Sequence, residues 1–348
     1  MKKIIFFILV LTGIFMACNV NEIEIIKDEP VLDTKNIRVP AEWESHAATW
    51  MQWPNRYESD MRTAFADIID VIQDYELVHL LTSSESEKDA ARKFLTEQGV
   101  PDKNITWHII PVDNSWMRDN GPIYVTDGNS TWIQNWKFDA WGGNFGSDIE
   151  YNNDNLVPVR VGEYLGMTVE DHQDYVLEKG NLEFNGAGKL VLNWDCQDDR
   201  NPGMSKAEHE TILKKAFGVT EIIWAYGHYP EDGTTGHIDG TARFIGVNTI
   251  VIVDYDSETD KNLVAACQTA GLEVLRYPGD PNWLVGNGFV VAMGDGSAND
   301  AELKSRIEAF FPDRDIHMVD AQTIANAGGG IHCVTNDQPS AWHNSKTK

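Results

Sequence analysis

A thiol, an imidazole and two carboxylates brought to one place can carry out covalent hydrolysis, and this chain offers them in three short segments. In Gly328-Gly329-Gly330-Ile331-His332-Cys333-Val334-Thr335, three glycines remove every Cβ from the approach to Cys333 and permit positive φ. Backbone and ligand can then come close to the sulfur; a packing role for the cysteine is the competing reading. In Gly236-His237-Ile238-Asp239-Gly240, an extended backbone would put His237 and Asp239 on one face, an imidazole beside a carboxylate able to do acid–base work near neutral pH. A structural histidine satisfied by the aspartate is the alternative. The third segment, from Asp113 to Pro122, sets Trp116, Arg118 and Asp119 against a Gly-Pro turn, either as a rigid wall carrying one carboxylate or as a capped turn with an ion pair. Asp119 and Asp239 on one face would bind a cation strongly.

The elements that must position these segments alternate along the chain. Met61, Phe65, Ile68, Ile69 and Ile72 recur at spacings of three and four and predict a helix over 59–73. Ser84 and Glu87 have the spacing of a capping box and open a second over 84–98, and further helices are expected over 205–217 and 300–310, the last stopped by Pro312. Short β-rich runs are read at 75–81, 105–110, 123–125, 189–193, 221–224, 250–253, 273–276 and 289–293. With no Pro-rich, Ser-rich or charged linker between 37 and 342, the fold class is α/β and a single domain over 37–348 is expected.

Composition narrows the partners. The 348 residues carry 28 Lys plus Arg against 54 Asp plus Glu, a net charge of −26, which disfavours nucleic acid and suits a small cation. There is no CxxC pair, HExxH string, phosphate loop or GxSxG elbow, so structural zinc, phosphate-loop and serine-elbow classes drop out. Lys2 and Lys3 before the apolar run Ile4 to Phe15, then Ala17 and Cys18, read as an export signal over 1–17. A tether over 18–36 would follow, with Cys18 the lipid-bearing residue of an exported, membrane-anchored chain; plain cleaved export is the other reading. Of the remaining cysteines, Cys196 and Cys267 are read as structural.

Several longer strings carry a resemblance. PAEWESH at 40–46, WMQWP at 50–54, SWMRDNGP at 115–122, AWGG at 140–143, RNP at 200–202, GHID at 236–239 and GGGIHCVTNDQP at 328–339 occur in order over roughly 37–342. Together they resemble the agmatine deiminase family, which includes the bacterial, Porphyromonas-type peptidylarginine deiminases. The resemblance implies a five-bladed α/β propeller of ββαβ units with a central active site. It implies hydrolysis of a guanidinium: Asp119 and Asp239 grip its N–H edges, Cys333 attacks its carbon, and His237 moves protons, with no cofactor and no metal. Glu178 sits where the family has an acid followed by two glycines, Lys179 replacing the first. Asn282 and Asn287 resemble a loop flanking the thiol, and Trp116 could stack on the substrate. His332, next to the nucleophile, is read as structural.

Agmatine, converted to N-carbamoylputrescine, is the substrate this resemblance favours. Gly233 and Thr235 stand where acids would be expected before GHID, and with export this keeps peptidyl- or C-terminal arginine as an alternative, Lys137 then holding a carboxylate. Two further alternatives are a surface lipoprotein binding cationic ligands without turnover, and amidino transfer to an amine.

Overall fold

The computed structural model describes residues 37–228 and 231–340. The expected export signal and tether, with Cys18, lie outside the described residues. Among those residues the strands form five small sheets, and each repeats one local plan. Ile123–Thr126 pairs antiparallel with Thr131–Lys137, the helix Val157–Leu165 crosses over, and Val169–Val176 joins in parallel. The plan recurs with Glu183–Phe184, Lys189–Asn193 and Glu221–Ala225 about the helix Lys206–Phe217. It recurs again with Ala242–Gly246, Thr249–Val253 and Glu273–Tyr277 about Glu258–Thr269. A fourth copy uses Leu284–Gly286, Phe289–Gly294 and Asp315–Asp320 about Asn299–Phe310.

The remaining sheet joins the two ends of the described chain. Asn336–Pro339 lies antiparallel to His46–Gln52, which runs parallel to Leu77–Thr82, and Ile105–Ile109 extends the edge. Cys333 therefore enters three residues ahead of a strand whose register is fixed by the start of the fold.

The four expected helices form, at Arg62–Tyr75, Glu85–Glu97, Lys206–Phe217 and Asn299–Phe310, and Val157–Leu165 and Glu258–Thr269 are helices the pattern does not announce. Phe65, Ile68, Ile69 and Ile72 bury one face of Arg62–Tyr75 in a core shared by the sheet of Leu77–Thr82 and that of Phe289–Gly294 and Asp315–Asp320. Ser205 with Glu208, and Ser257 with Asp260, close full capping boxes. Ser84 accepts from the Glu87 N–H, whereas the Glu87 carboxylate reaches back to the Ser83 N–H, one residue outside the expected box. The strands His46–Gln52, Thr131–Lys137, Val169–Val176 and Asp315–Asp320 lie outside the runs expected from sequence; in Val169–Val176 the VEDHQDYV side chains are mostly polar and only its last two residues are buried, leaving little alternation. Two expectations about the chemical segments are corrected. Ile238–Gly240 is a turn of 3-10 helix, so His237 and Asp239 do not share a strand face, and 331–334 is a turn rather than an extended run. No helix among the described residues is long and apolar enough to cross a membrane.

Candidate active site

Turns from three distant parts of the chain meet at Asp119, His237 and Cys333. Asp119 lies on the short helix Met117–Asn120, whose Arg118 N–H donates to the Cys333 carbonyl at 3.0 Å, so the carboxylate and the thiol are tied through main chain. Trp141 Nε1 donates to Asp119 Oδ2 at 2.8 Å and Gly180 N–H to Oδ1 at 3.2 Å. Asn282 holds the nucleophile's turn: its Oδ1 accepts from the His332 N–H at 2.8 Å, and its Nδ2 lies 3.2 Å from Cys333 Sγ. Cys333 Sγ is also 3.6 Å from Asp239 Oδ2.

The second histidine position is built from the far side. His237 Nε2 bonds Glu178 Oε2 at 2.6 Å, and Glu178 in turn accepts from Arg200 Nε at 2.6 Å. His237 Nδ1 is buried without a hydrogen-bond partner, 3.5 Å from Asp119 Oδ1. With Nε2 committed, Nδ1 is the ring atom free to exchange a proton. Cys196 Sγ stands 3.8 Å from Glu178 Oε2. Glu178, Cys196 and His237 are the trio among the described residues spaced to hold a metal ion. The Arg200 guanidinium on the same carboxylate opposes a cation there, and burial with Glu178 nearby pushes the Cys196 thiol up to about 11, against the thiolate a metal requires.

Burial, then Asp239 and Asp119, hold the Cys333 thiol well above its ordinary range. Burial also raises Asp119, to about 6, with the His237 charge opposing and Glu178 and Asp239 adding to the shift. Burial pulls His237 down, but Asp119 and bonds to Cys196 and Glu178 carry it well above 6.5. Glu178 pays for its burial through Arg200 and His237 and is held below the usual carboxylate range. Thiol and imidazole are thus both biased toward their protonated forms, beside the Asp239 and Glu178 carboxylates that are held ionised.

A cavity of about 840 Å³ opens onto this arrangement, lined by Cys333, Asp119, Trp116, Trp141 and Phe145 and reaching Arg56, Glu58, Asp148 and Glu150. Of the residues anticipated from sequence, Cys333, Asp119 and Trp116 line it, while His237, Asp239 and Asn282 stand directly behind through the contacts above. Glu178 reaches the site only through His237. Asn287 does not join it: its amide clamps the His46 backbone at both ends, at 2.9 Å each, and fastens a turn to the first strand. Lys137 is exposed. His332, read as structural, points at Asp239, with Nδ1 2.8 Å from Oδ2. Trp141 and Arg200 were visible only as parts of the shared strings 140–143 and 200–202, and Cys196 was set aside as structural. Nothing in spacing alone joins them to partners 18 to 22 positions away.

The sequence matches the Porphyromonas-type peptidyl-arginine deiminase family over residues 38–276 and 281–339. The chain belongs to that family. An agmatine deiminase of Pseudomonas aeruginosa is 28% identical, covering 87% of this chain and 95% of its own length. One from Stutzerimonas stutzeri is 29% identical over 87% and 96%. Among solved structures, agmatine deiminase of Enterococcus faecalis superposes with a TM-score of 0.79 at 21% identity, covering 90% of this chain and 99% of its own. A substrate-bound Cys-to-Ser agmatine deiminase of C. jejuni gives 0.77 at 22% identity, covering 88% and 97%. At these identities the structural likeness bears on the fold, a mixed α/β architecture of several small sheets.

Proposed function

We propose that this chain hydrolyses a guanidinium to a ureido group and ammonia through a covalent bond to Cys333, with agmatine the leading substrate. The observation that carries the reading is the convergence on one cavity of a buried thiol, two carboxylates and an imidazole with an unpartnered Nδ1. The activity named for the relatives supports it. On the same reading, the five sheets are blades about a central axis, residues 1–17 direct export, and Cys18 carries the lipid of the mature chain.

The chemistry follows from the charges. A docking guanidinium, gripped by Asp119 and Asp239, places positive charge beside Cys333 and lets the thiol release its proton to solvent. The thiolate attacks the central carbon and gives a neutral tetrahedral adduct. His237 Nδ1 passes a proton to one NH₂, ammonia leaves with the C–N bond, and an S-alkylthiouronium cation remains. Water attacks that carbon as neutral His237 takes its proton. Collapse then expels the thiolate and forms the ureido carbonyl, the hydroxyl proton leaving with ammonia as ammonium.

One observation favours a second substrate, arginine in or at the end of a peptide. The cavity extends beyond what a small guanidine fills, to a rim where Arg56, set among Glu58, Glu87, Asp113, Asp148 and Glu150, can meet a carboxylate. Assays of ammonia and ureido product with agmatine, free arginine and a peptide ending in arginine decide between them. Agmatine turnover that disappears in Cys333→Ala is expected. Tight binding with no ammonia from any substrate would make the chain a binding lipoprotein, and amidino transfer to an added amine would make it a transferase.

A further inference from the structure

Asp239 must stay charged in a buried site, yet its own turn does little to hold it. The carboxylate is 1% exposed as a residue, and its nitrogen donor is His332 Nδ1, at 2.8 Å from Oδ2. The other face of that imidazole meets a second acid, Nε2 lying 2.7 Å from Glu42 Oε2. Glu42 is anchored independently: Oε1 accepts from the Val285 N–H at 2.8 Å, and Oε2 is 2.9 Å from an Arg243 guanidinium nitrogen and 3.5 Å from one of Arg118. Arg243 is itself bonded to Glu183 and to the Trp283 carbonyl, so it cannot turn away.

A neutral imidazole carries one N–H and can donate to only one of two flanking carboxylates; toward the other it would present a lone pair. With both contacts below 2.9 Å, two protons must bridge the three groups. Glu42, facing two guanidiniums, is the worst place for either. We infer that His332 is a doubly protonated positioning residue that ties Asp239 to the anchored Glu42–Arg243 pair and thereby keeps the guanidinium-binding carboxylate ionised and aimed. The series Asp239, His332, Glu42, Arg243 alternates in charge from the site into the fold. His332 was placed by the turn at 331–334; in an extended run it would face away from the thiol's partners.

This inference rests on the deiminase reading for the role of Asp239, but its central test does not. In uniformly ¹⁵N-histidine-labelled wild-type protein without substrate, both ring nitrogens of His332 should resonate as imidazolium from pH 6 to 8. A neutral tautomer in that range overturns the proposal whether or not the chain turns anything over. Burial, then the Arg118 and Arg243 charges, pull His332 below its ordinary range, with Glu42 and the bond to Asp239 opposing them; the two short carboxylate contacts are what put both protons on the ring, and Cys333, His237, Asp119, Asp280 and Arg243 surround Asp239. Kinetics supply the second arm. His332→Gln, folded by thermal melting, should lower kcat/KM by on the order of 100-fold, the cost of about 1 Å of misplacement in a reacting geometry. The loss should fall mainly in KM, and a second protonation should steepen the acid limb, because Asp239 then takes up a proton alongside Asp119. Glu42→Gln should show the same steepening. A variant with unchanged KM and an unchanged acid limb, whatever its stability, would show His332 to be packing alone.

Discussion

A methyl group at Gly180 would sit 2.5 Å from both Asp119 Oδ1 and His237 Nδ1. The residue is needed for space, not for an unusual φ, and its N–H is one of the donors on Asp119. Gly180→Ala is therefore expected to spread the carboxylate from the imidazole. A misplacement of about 1 Å costs on the order of 100-fold in rate, while overpacking of this size costs about 1–3 kcal/mol of stability. Steady-state kinetics on the folded variant check this, and near-normal kcat/KM would mean the pair tolerates separation. The thiol makes a second prediction at this scale. Since burial and two carboxylates hold Cys333 protonated, iodoacetamide labelling of residue 333, followed by peptide mass, should be slow at pH 7 and climb about tenfold per pH unit up to pH 9. A haloacetamidine, whose amidinium carries the charge of the substrate, should escape that penalty, and Asp119→Asn should remove its advantage. Fast, pH-independent labelling by the neutral reagent would show a thiolate already formed.

Among elements, the parts most legible in the sequence were those whose signal is local. The amphipathic helix Arg62–Tyr75 and the capped helix Lys206–Phe217 follow from spacing and from Ser205 with Glu208. Cys333, His237, Asp119 and Asp239 were legible because unusual residue types stood in glycine-flanked strings. The fivefold recurrence of the sheet plan was not, since its copies share hydrogen-bond geometry and not residues. Nor was Arg200, whose partner Glu178 lies 22 positions back and is recognisable only once two turns are packed. Lys179 is instructive here. It replaces a glycine expected from the resemblance, yet its ammonium is buried, with Nζ 2.7 Å from Asn336 Oδ1 and 2.8 Å from Asp337 Oδ1, pinning the 179–181 turn to the closing strand. Arg118 shares Asp337 at 2.7 Å. Lys179→Met should cost about 3 kcal/mol, toward the lower end for removing one partner of a buried pair because Arg118 remains. Urea denaturation measures it; a loss below about 1 kcal/mol would place that ammonium among surface-like pairs.

For the whole molecule, the buried titratable groups set how stability follows pH. Asp154 and Glu183 are both raised to about 7 by burial, and Asp119 to about 6, so each keeps in the fold a proton that the unfolded chain has already lost. Their contribution to stability falls as pH rises from about 4 toward 7. Buried neutral imidazoles oppose this. His79 and His108, 2.8 Å apart and stacked on Trp50, are lowered by burial to about 3 and about 4, so below 6.5 the unfolded chain binds protons that the fold refuses, and stability rises with pH there. The two sets roughly cancel between pH 5 and 6.5. Above 6.5 the imidazoles drop out, while the acids, and His237 with its raised value, continue to lose protons, so stability declines. Below pH 4 the carboxylates held low by partners, Glu42, Glu178 and Asp239 among them, must take protons, and stability falls again. The net charge of −26 at pH 7 adds self-repulsion on the alkaline side. Thermal melting from pH 4 to 9 should show a plateau near pH 5–6.5 and a decline on either side. Calorimetry in buffers of different ionisation enthalpy should find unfolding near pH 7 releasing roughly two protons, Asp280, also raised to about 7 by burial, among their sources. Proton uptake at that pH, or a melting temperature that climbs from 6.5 to 8, would mean the buried acids are ionised in the fold and that Asp119 meets its substrate without the help of the cation it binds.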